Sequence, residues 1–125
     1  MNHSVYHVGW DEVTDLVNII ACNIEASGQN IDYIYGVPRG GLVPAVMLSH
    51  RLGVPLIHEL DDKQVLGKTL IVDDIYDTGR TMKEHIKNKL STRVGCCLYK
   101  KASSPQVFGL QITPSQTWYQ FPWEI

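Results

Sequence analysis

The sequence has no excess of charge of either sign. Its 11 Lys and Arg residues stand against 13 Asp and Glu residues, so the net charge at pH 7 is −2. A dedicated nucleic-acid-binding protein normally carries a basic surface field, which this balance does not provide. The composition therefore argues against nucleic acid as the partner.

Long hydrophobic runs are also absent from the sequence. Stretches such as Leu42–Leu48 are far shorter than the roughly 20 apolar residues that span a bilayer. The first residues, Met1–Ser4, do not begin the basic and then apolar pattern of a secretory signal. We therefore expect no stable membrane insertion and a cytoplasmic location.

Cysteine is scarce and lacks the spacing of a metal or disulfide site. Cys22, Cys96 and Cys97 are odd in number and form no Cys-x-x-Cys pair, which argues against a zinc site or a disulfide framework. We expect all three to be packing residues of a cytosolic protein. The adjacent Cys96 and Cys97 should point to opposite faces of a strand.

The composition is that of one soluble globular domain over residues 1–125. Hydrophobic residues make up 44% of the 125 residues and charged residues 19%, which excludes a disordered or collagen-like chain. A chain of this length buries a core without disulfides or a structural metal.

Helical and strand-like spacings of apolar residues alternate along the chain. The apolar residues from Val13 to Ile24 recur at the spacing of one helix face. Two further helices are predicted over Leu42–Leu52 and Arg80–Leu90. The predicted strands are Ser4–Val8, Ile31–Val37, Val54–His58, Lys68–Val72, Arg93–Tyr99 and Val107–Ile112. This order predicts an α/β domain with a Rossmann-like, mostly parallel sheet flanked by helices, which binds ligands outside the carboxyl ends of its strands.

An acid-rich segment follows the most strand-like run of the chain. Lys68–Val72 runs into Asp73 and Asp74 and then, three residues later, into Asp77. Three clustered carboxylates would repel one another without a cation or bound hydroxyl groups. Because carboxylate oxygens suit Mg²⁺ and ribose hydroxyls, Asp73 and Asp74 are predicted to hold a sugar and a divalent ion.

The loop over residues 77–81 opens the next helix. The hydroxyls of Thr78 and Thr81 and the backbone N–H groups are suited to surround a phosphate, and Gly79 lets the backbone approach it closely. The alternative is an acidic turn in which Asp77 or Thr78 caps the helix. That alternative accounts for one polar residue but not for three carboxylates.

These residues resemble those of the phosphoribosyltransferase family. Val72–Thr81 is similar to the family's signature for 5-phosphoribosyl-1-pyrophosphate (PRPP), and Tyr35–Pro44 is similar to its pyrophosphate loop. The resemblance implies the type I phosphoribosyltransferase fold, with a minimal hood from the N-terminal segment and residues of about 106–125. The PRPP-binding residues that it implies are Arg39, Gly40, Asp73, Asp74, Ile75, Tyr76, Asp77, Thr78, Gly79, Arg80 and Thr81.

A third segment, Thr117–Glu124, is similar to the tail of the family's xanthine-guanine enzymes. The resemblance implies that Trp118 stacks on a purine and that the backbone of Tyr119 faces its exocyclic groups. It also implies that Lys100 contacts the 6-oxo group, although the adjacent Lys101 leaves this assignment open by one residue.

The implied reaction is transfer of phosphoribose from PRPP to N9 of a 6-oxopurine in purine salvage, with release of pyrophosphate. In that reaction Asp77 would be the general base and Asp74 the contact to the cofactor Mg²⁺. PRPP and a purine would be the partners, and a homo-oligomer would be the assembly. The absence of Gly-x-Gly-x-x-Gly after the first strand argues against a dinucleotide-binding oxidoreductase.

One departure from the family favours a second interpretation. Family members carry a long loop that closes over the reacting centre, whereas here only about ten residues run from Glu59 to Lys68, with Asp61–Lys63 at the expected tip. The alternative is a regulatory module that senses PRPP or a nucleotide with little turnover.

Overall fold

The structure, a computed structural model, describes residues 4–60, 67–87 and 92–125. The strands in these ranges are β1 (Val5–His7), β2 (Ile31–Gly36), β3 (Leu56–Ile57), β4 (Lys68–Tyr76), β5 (Arg93–Lys100), β6 (Val107–Gln111) and β7 (Trp118–Gln120). The helices are α1 (Trp10–Ala26), α2 (Leu42–Leu52) and α3 (Arg80–Ile86).

Five of these strands form one parallel sheet in the order β3-β2-β4-β5-β6. The strands β1 and β7 pair separately, also in parallel. The predicted α/β class with a mostly parallel, helix-flanked sheet is therefore confirmed. Because β4 lies at the centre of the larger sheet, the segment that follows it has neighbours on both sides.

Two helices cover one face of the large sheet and follow the predicted spacing. The buried residues of α1 are Val13, Leu16, Val17, Ile20, Ala21 and Ile24, as the helical periodicity predicts. The helix α2 has the predicted bounds and ends at Gly53, whose φ of 68° suits a residue without a side chain. Within the described residues, no helix is both long and apolar enough to cross a membrane.

The sheet separates two hydrophobic clusters. Leu70 and Val72 of β4 pack with α1 and α2, whereas Ile71 packs with Met82 of α3. Alternation along a strand explains this division, because successive side chains point to opposite faces.

The cysteines follow the same geometry with one exception. Cys96 belongs to the cluster under α1 and α2 and Cys97 to the cluster under α3, as predicted. Cys22, in contrast, is exposed, and its Sγ atom lies 3.5 Å from an Arg51 nitrogen. The prediction that Cys22 is a packing residue was wrong, because it lies on the outer side of α1.

Several element bounds differ from the predicted ones. The strand β4 continues past Val72 to Tyr76 because β5 runs beside it, with Asp73 opposite Cys97. The strand β7 lies in what was predicted as an aromatic tail, and the strand predicted over Val54–His58 is reduced to β3. The end predicted for the third helix, like the loop tip at 61–63, lies outside the described residues.

Candidate active site

Three segments meet at the carboxyl edge of the parallel sheet. The backbone N–H of Val37, just after β2, donates to the carbonyl of Val72 in β4 at 2.8 Å. The backbone N–H of Lys101, just after β5, donates to the carbonyl of Tyr76 at 2.7 Å. These two hydrogen bonds bring the pyrophosphate-loop motif, the acid-rich segment and the lysine pair together.

The two adjacent carboxylates lie within the last residues of β4, half-buried. The backbone N–H of Asp74 donates to Oδ1 of Asp73 at 2.9 Å, and the N–H of Ile75 donates to Oδ1 of Asp74 at 2.8 Å. Burial, together with the negative charge of Asp74, raises the pKa of Asp73 to about 7. Ionisation of both Asp73 and Asp74 is therefore unfavourable in the free protein. A bound cation or hydroxyl group would stabilise the doubly ionised pair.

The loop over residues 38–41 lies directly against the Asp74 carboxylate. A Cβ atom on Gly40 would overlap the Asp74 carboxylate, so a larger residue at this position would displace the Asp74 side chain. The loop is held by the N–H of Gly41, which donates to the Val37 carbonyl at 2.8 Å, and it contains a cis peptide bond between Pro38 and Arg39. Arg39 itself is exposed.

A cleft of about 230 Å³ is lined by residues 73–82. Asp77 and Thr78 are exposed on it, and Gly79 is buried with a φ of 82°. The backbone N–H of Arg80 lies 3.3 Å from the Thr78 hydroxyl. The cap residue of α3 is Gly79, which has no side chain, so the alternative of Asp77 or Thr78 as the N-cap was wrong.

The remaining residues of this segment take different positions. Tyr76 is buried in the cluster under α3, and its ring lies directly beneath Gly79. Ile75 is half-buried against the other cluster. Arg80 forms an exposed ion pair with Glu84 at 3.6 Å, and Thr81 is exposed in the first turn of α3.

The two lysines after β5 point to different partners. The Nζ atom of Lys100 donates to the carbonyls of Ser104 and Val107, at 2.9 and 2.8 Å. The Nζ atom of Lys101 donates instead to the carbonyl of Thr117 at 2.8 Å, immediately before Trp118. The structure thus places Lys101 rather than Lys100 beside the segment predicted to bind a purine.

The strand β7 presents one exposed and one packed aromatic residue. Trp118 is 63% exposed, which leaves a ring face open to a ligand. The Tyr119 ring lies 5.7 Å from Lys101 Nζ and close to the rings of Tyr6 and Tyr99, with centroid distances of 5.3 and 5.0 Å. Sequence reasoning did not find Tyr6, Tyr99 or their shared partner Glu12, because no local pattern links residues so far apart.

No family model matches the chain. The xanthine-guanine phosphoribosyltransferase of Cereibacter sphaeroides is 25% identical, and the alignment covers 96% of this chain and 87% of that protein. The solved purine phosphoribosyltransferase of Pyrococcus horikoshii is 27% identical with a TM-score of 0.72, over 96% of this chain and 94% of the other.

A second solved structure shows the same fold with a nucleotide bound. It is a hypothetical protein of Neisseria gonorrhoeae with bound ppGpp, 19% identical, with a TM-score of 0.79 over 100% of this chain and 91% of the other. The chain is therefore similar to purine phosphoribosyltransferases along nearly its full length, and its fold is that of the type I phosphoribosyltransferases.

Proposed function

We propose that this protein transfers phosphoribose from PRPP to N9 of a 6-oxopurine, namely guanine, xanthine or hypoxanthine, and releases pyrophosphate. The observation that carries the proposal is the pair of hydrogen bonds that link Val37 to Val72 and Lys101 to Tyr76. They bring the three segments suited to pyrophosphate, phosphoribose and a purine to one edge of the sheet. The named activities of the relatives support the same assignment.

The 5′-phosphate fits the loop over residues 77–81. The loop offers backbone N–H groups, the hydroxyls of Thr78 and Thr81 and a glycine at the closest point of approach. The cap residue Gly79 has no side chain, so a bound phosphate would supply acceptors to the N–H groups at this end of the helix that the Thr78 hydroxyl does not serve.

The carboxylates of Asp73 and Asp74 fit a divalent ion held partly by the substrate. In the described ranges, no group of three or more His, Cys, Asp or Glu residues is arranged to hold a metal by itself. Mg²⁺ usually binds through one or two carboxylates and substrate oxygens, which matches this pair, with Asp74 as the nearer group to the pyrophosphate loop. When bound, Mg²⁺ supplies positive charge against the leaving pyrophosphate.

The chemical step breaks the bond between C1 of the ribose and the pyrophosphate oxygen, and forms a bond from C1 to N9 of the purine. Asp77, exposed on the cleft beside the sugar position, accepts the proton that the purine loses from N7. Arg39 places a guanidinium on the pyrophosphate side, where negative charge accumulates. Asp73 orients the ribose hydroxyls.

The base is held by β7 and the end of β5. Trp118 offers an exposed ring for stacking, and the backbone of Tyr119 offers polar groups to the exocyclic positions. Lys101 takes the role toward the 6-oxo group that was predicted for Lys100, since its Nζ atom lies at the Thr117 carbonyl.

The proposal is tested by measuring pyrophosphate release from PRPP with each of the three bases in the presence of Mg²⁺. Release that depends on a purine is expected, and loss of release on chelation of the metal is expected with it. An Asp73→Asn/Asp74→Asn double variant should be inactive, whereas Asp15→Asn on the exposed side of α1 should match the parent. Failure of all three bases to stimulate release would contradict the proposal.

The second candidate is a regulatory module that binds PRPP or a nucleotide without turnover. The short segment from Glu59 to Lys68 favours it, because long lids normally exclude water from the reacting centre. Calorimetric titration with PRPP and with ppGpp separates the two functions. Saturable binding without purine-dependent release of pyrophosphate would favour the regulatory module.

A further inference from the structure

One carboxylate oxygen connects three elements beside the proposed purine position. Oε2 of Glu12, in the first turn of α1, accepts a hydrogen bond from the Tyr6 hydroxyl of β1 at 2.7 Å. The same oxygen accepts a hydrogen bond from the Tyr99 hydroxyl of β5 at 3.2 Å. Hydrogen bonds to a charged acceptor are stronger than those between neutral groups, so Glu12 fixes both phenol rings.

The two hydroxyls remain donors at neutral pH. The hydrogen bond to Glu12 raises the pKa of Tyr6, and burial together with the charge of Glu12 raises the pKa of Tyr99. Glu12 is half-buried, whereas its neighbour Asp11 in the same helical turn is exposed. The two acids therefore differ in contacts while sharing charge and position at the helix N-terminus.

The fixed rings form the support of β7. Tyr6 and Tyr99 both bind Glu12, and both rings contact the Tyr119 ring, at centroid distances of 5.3 and 5.0 Å. The Tyr119 ring in turn lies 5.7 Å from the Nζ atom of Lys101. A change at Glu12 is thus transmitted through one layer of side chains to the strand that carries Trp118.

The strand pairing that holds β7 is short. The N–H of Trp118 donates to the Ser4 carbonyl at 2.9 Å, and the N–H of Val8 donates to the Gln120 carbonyl at 2.8 Å. All three residues of β1 are exposed. A two-stranded ribbon is marginally stable by itself, so its position depends on side chains that tie it to the main body.

We infer that Glu12 is a positioning residue for the purine, which acts by tying β1 and β5 together around Tyr119 and so fixing the strand that carries Trp118. This inference rests on the proposed function, since it concerns the base side of the same site. Glu12 itself touches no substrate. Its effect should therefore fall on the purine and not on PRPP, whose binding groups lie on β4 and the loop after it.

The test compares Glu12→Ala with Asp11→Ala, the matched loss of one acid from the same helical turn. Glu12→Ala is expected to raise the KM for the purine about tenfold, because two hydrogen bonds to a charged group are lost. The KM for PRPP should stay within about twofold of the parent value, since distant sites contribute independently. Asp11→Ala should leave both values at the parent level, and Glu12→Gln, which keeps an oxygen acceptor, should restore most of the loss.

A second measurement does not depend on turnover. Hydrogen exchange of the backbone N–H groups of Trp118 and Val8, followed by NMR, should accelerate in Glu12→Ala but not in Asp11→Ala. The exchange of Leu70 and Val72 at the sheet centre should be the same in all variants.

Two outcomes would overturn the inference. One is parent-like exchange at Trp118 and Val8 in Glu12→Ala, and the other is an equal rise in the KM values for purine and PRPP. A parent protein without purine-dependent pyrophosphate release would instead overturn the proposed function, and the exchange comparison would still decide whether Glu12 fixes β7.

Discussion

At the scale of single residues, the cleft lined by residues 73–82 places three carboxylates in different surroundings. Asp73 and Asp74 are half-buried near the end of β4, whereas Asp77, the first residue after the strand, is exposed. Burial and mutual repulsion act on the first two, and solvent screens the third. Under the proposed function, Asp73 and Asp74 would hold the sugar and the ion, and Asp77 would accept the proton from the purine.

Asp77→Asn should therefore slow turnover far more than it weakens PRPP binding. General-base catalysis contributes on the order of 100-fold or more, and we expect a loss of that size in kcat. The measurement is kcat with saturating purine, combined with calorimetric titration of PRPP. An unchanged kcat would show that Asp77 does not accept the proton.

The raised pKa of Asp73 predicts a pH-dependent stability in metal-free buffer. The folded protein holds a proton on Asp73 up to about pH 7, whereas the unfolded chain releases it near the ordinary value of 3.8. The folded state therefore binds more protons between these values, and the free energy of unfolding should fall as the pH rises from 5 to 8.

Denaturant unfolding with a chelator present, at pH 5 and at pH 8, measures this effect. The Asp73→Asn variant should lose less stability than the parent over that range. Asp15→Asn, an exposed carboxylate on α1, is the control and should retain the parent's dependence. The same pH dependence in Asp73→Asn and in the parent would contradict the prediction.

At the scale of elements, the loop between β4 and α3 depends on the tyrosine beneath it. A Cβ atom on Gly79 would overlap the Tyr76 ring and hydroxyl, and the φ of 82° is itself unfavourable for other residues. Gly53 at the end of α2 has a φ of 68° but open space around it. Substitutions at Gly53 and Gly79 therefore separate the free-energy cost of the backbone conformation from the cost of the contact with Tyr76.

Gly53→Ala should cost about 1–2 kcal/mol of stability, the usual penalty for a left-handed conformation. Gly79→Ala should cost a further ~1–3 kcal/mol because the side chain overpacks against Tyr76. Gly79→Ala alone should also weaken PRPP binding, since it displaces the loop proposed to hold the phosphate. Thermal unfolding and calorimetry measure the two effects, and equal losses in both variants would contradict the contact argument.

Variants at the end of β5 test whether Lys100 or Lys101 contacts the purine. Lys101→Met should raise the KM for the purine on the order of tenfold, because it removes a charged donor beside β7, the strand proposed to bind the purine. Lys100→Met should have the smaller effect on that KM, because Lys100 Nζ is bonded to the Ser104 and Val107 carbonyls and not to the Thr117 carbonyl that precedes β7. Steady-state kinetics with guanine measures both, and the reverse order would return the role to Lys100.

At the scale of the whole molecule, local sequence patterns predicted the helices and strands of the sheet. They did not predict features that depend on pairing between segments distant in the sequence. The periodicity of α1 and the strand at Lys68 depend on neighbouring residues, so both were predictable. The continuation of β4 past Val72 was not, because carboxylates are rare in strands and only pairing with β5 extends it.

The candidate site shows the same division. The acid-rich segment and the loop with Arg39 and Gly40 were predicted from contiguous residues, and the structure brings them together. The partners of Glu12 lie 6 and 87 residues away, so no spacing rule finds them. Likewise, β7 becomes a strand only through pairing with β1 at the other end of the chain.

Because Cys96 and Cys97 point to opposite faces of the sheet, their reaction with a thiol reagent can report on the packing of each face. Both thiols are buried, and burial raises the pKa of Cys96 to about 12, whereas Cys22 is exposed. A maleimide should therefore modify Cys22 alone in the native protein, and mass spectrometry should show one adduct. Since each buried thiol lies under a different helical layer, the second and third adducts would report separately on the loosening of the two sides of the sheet.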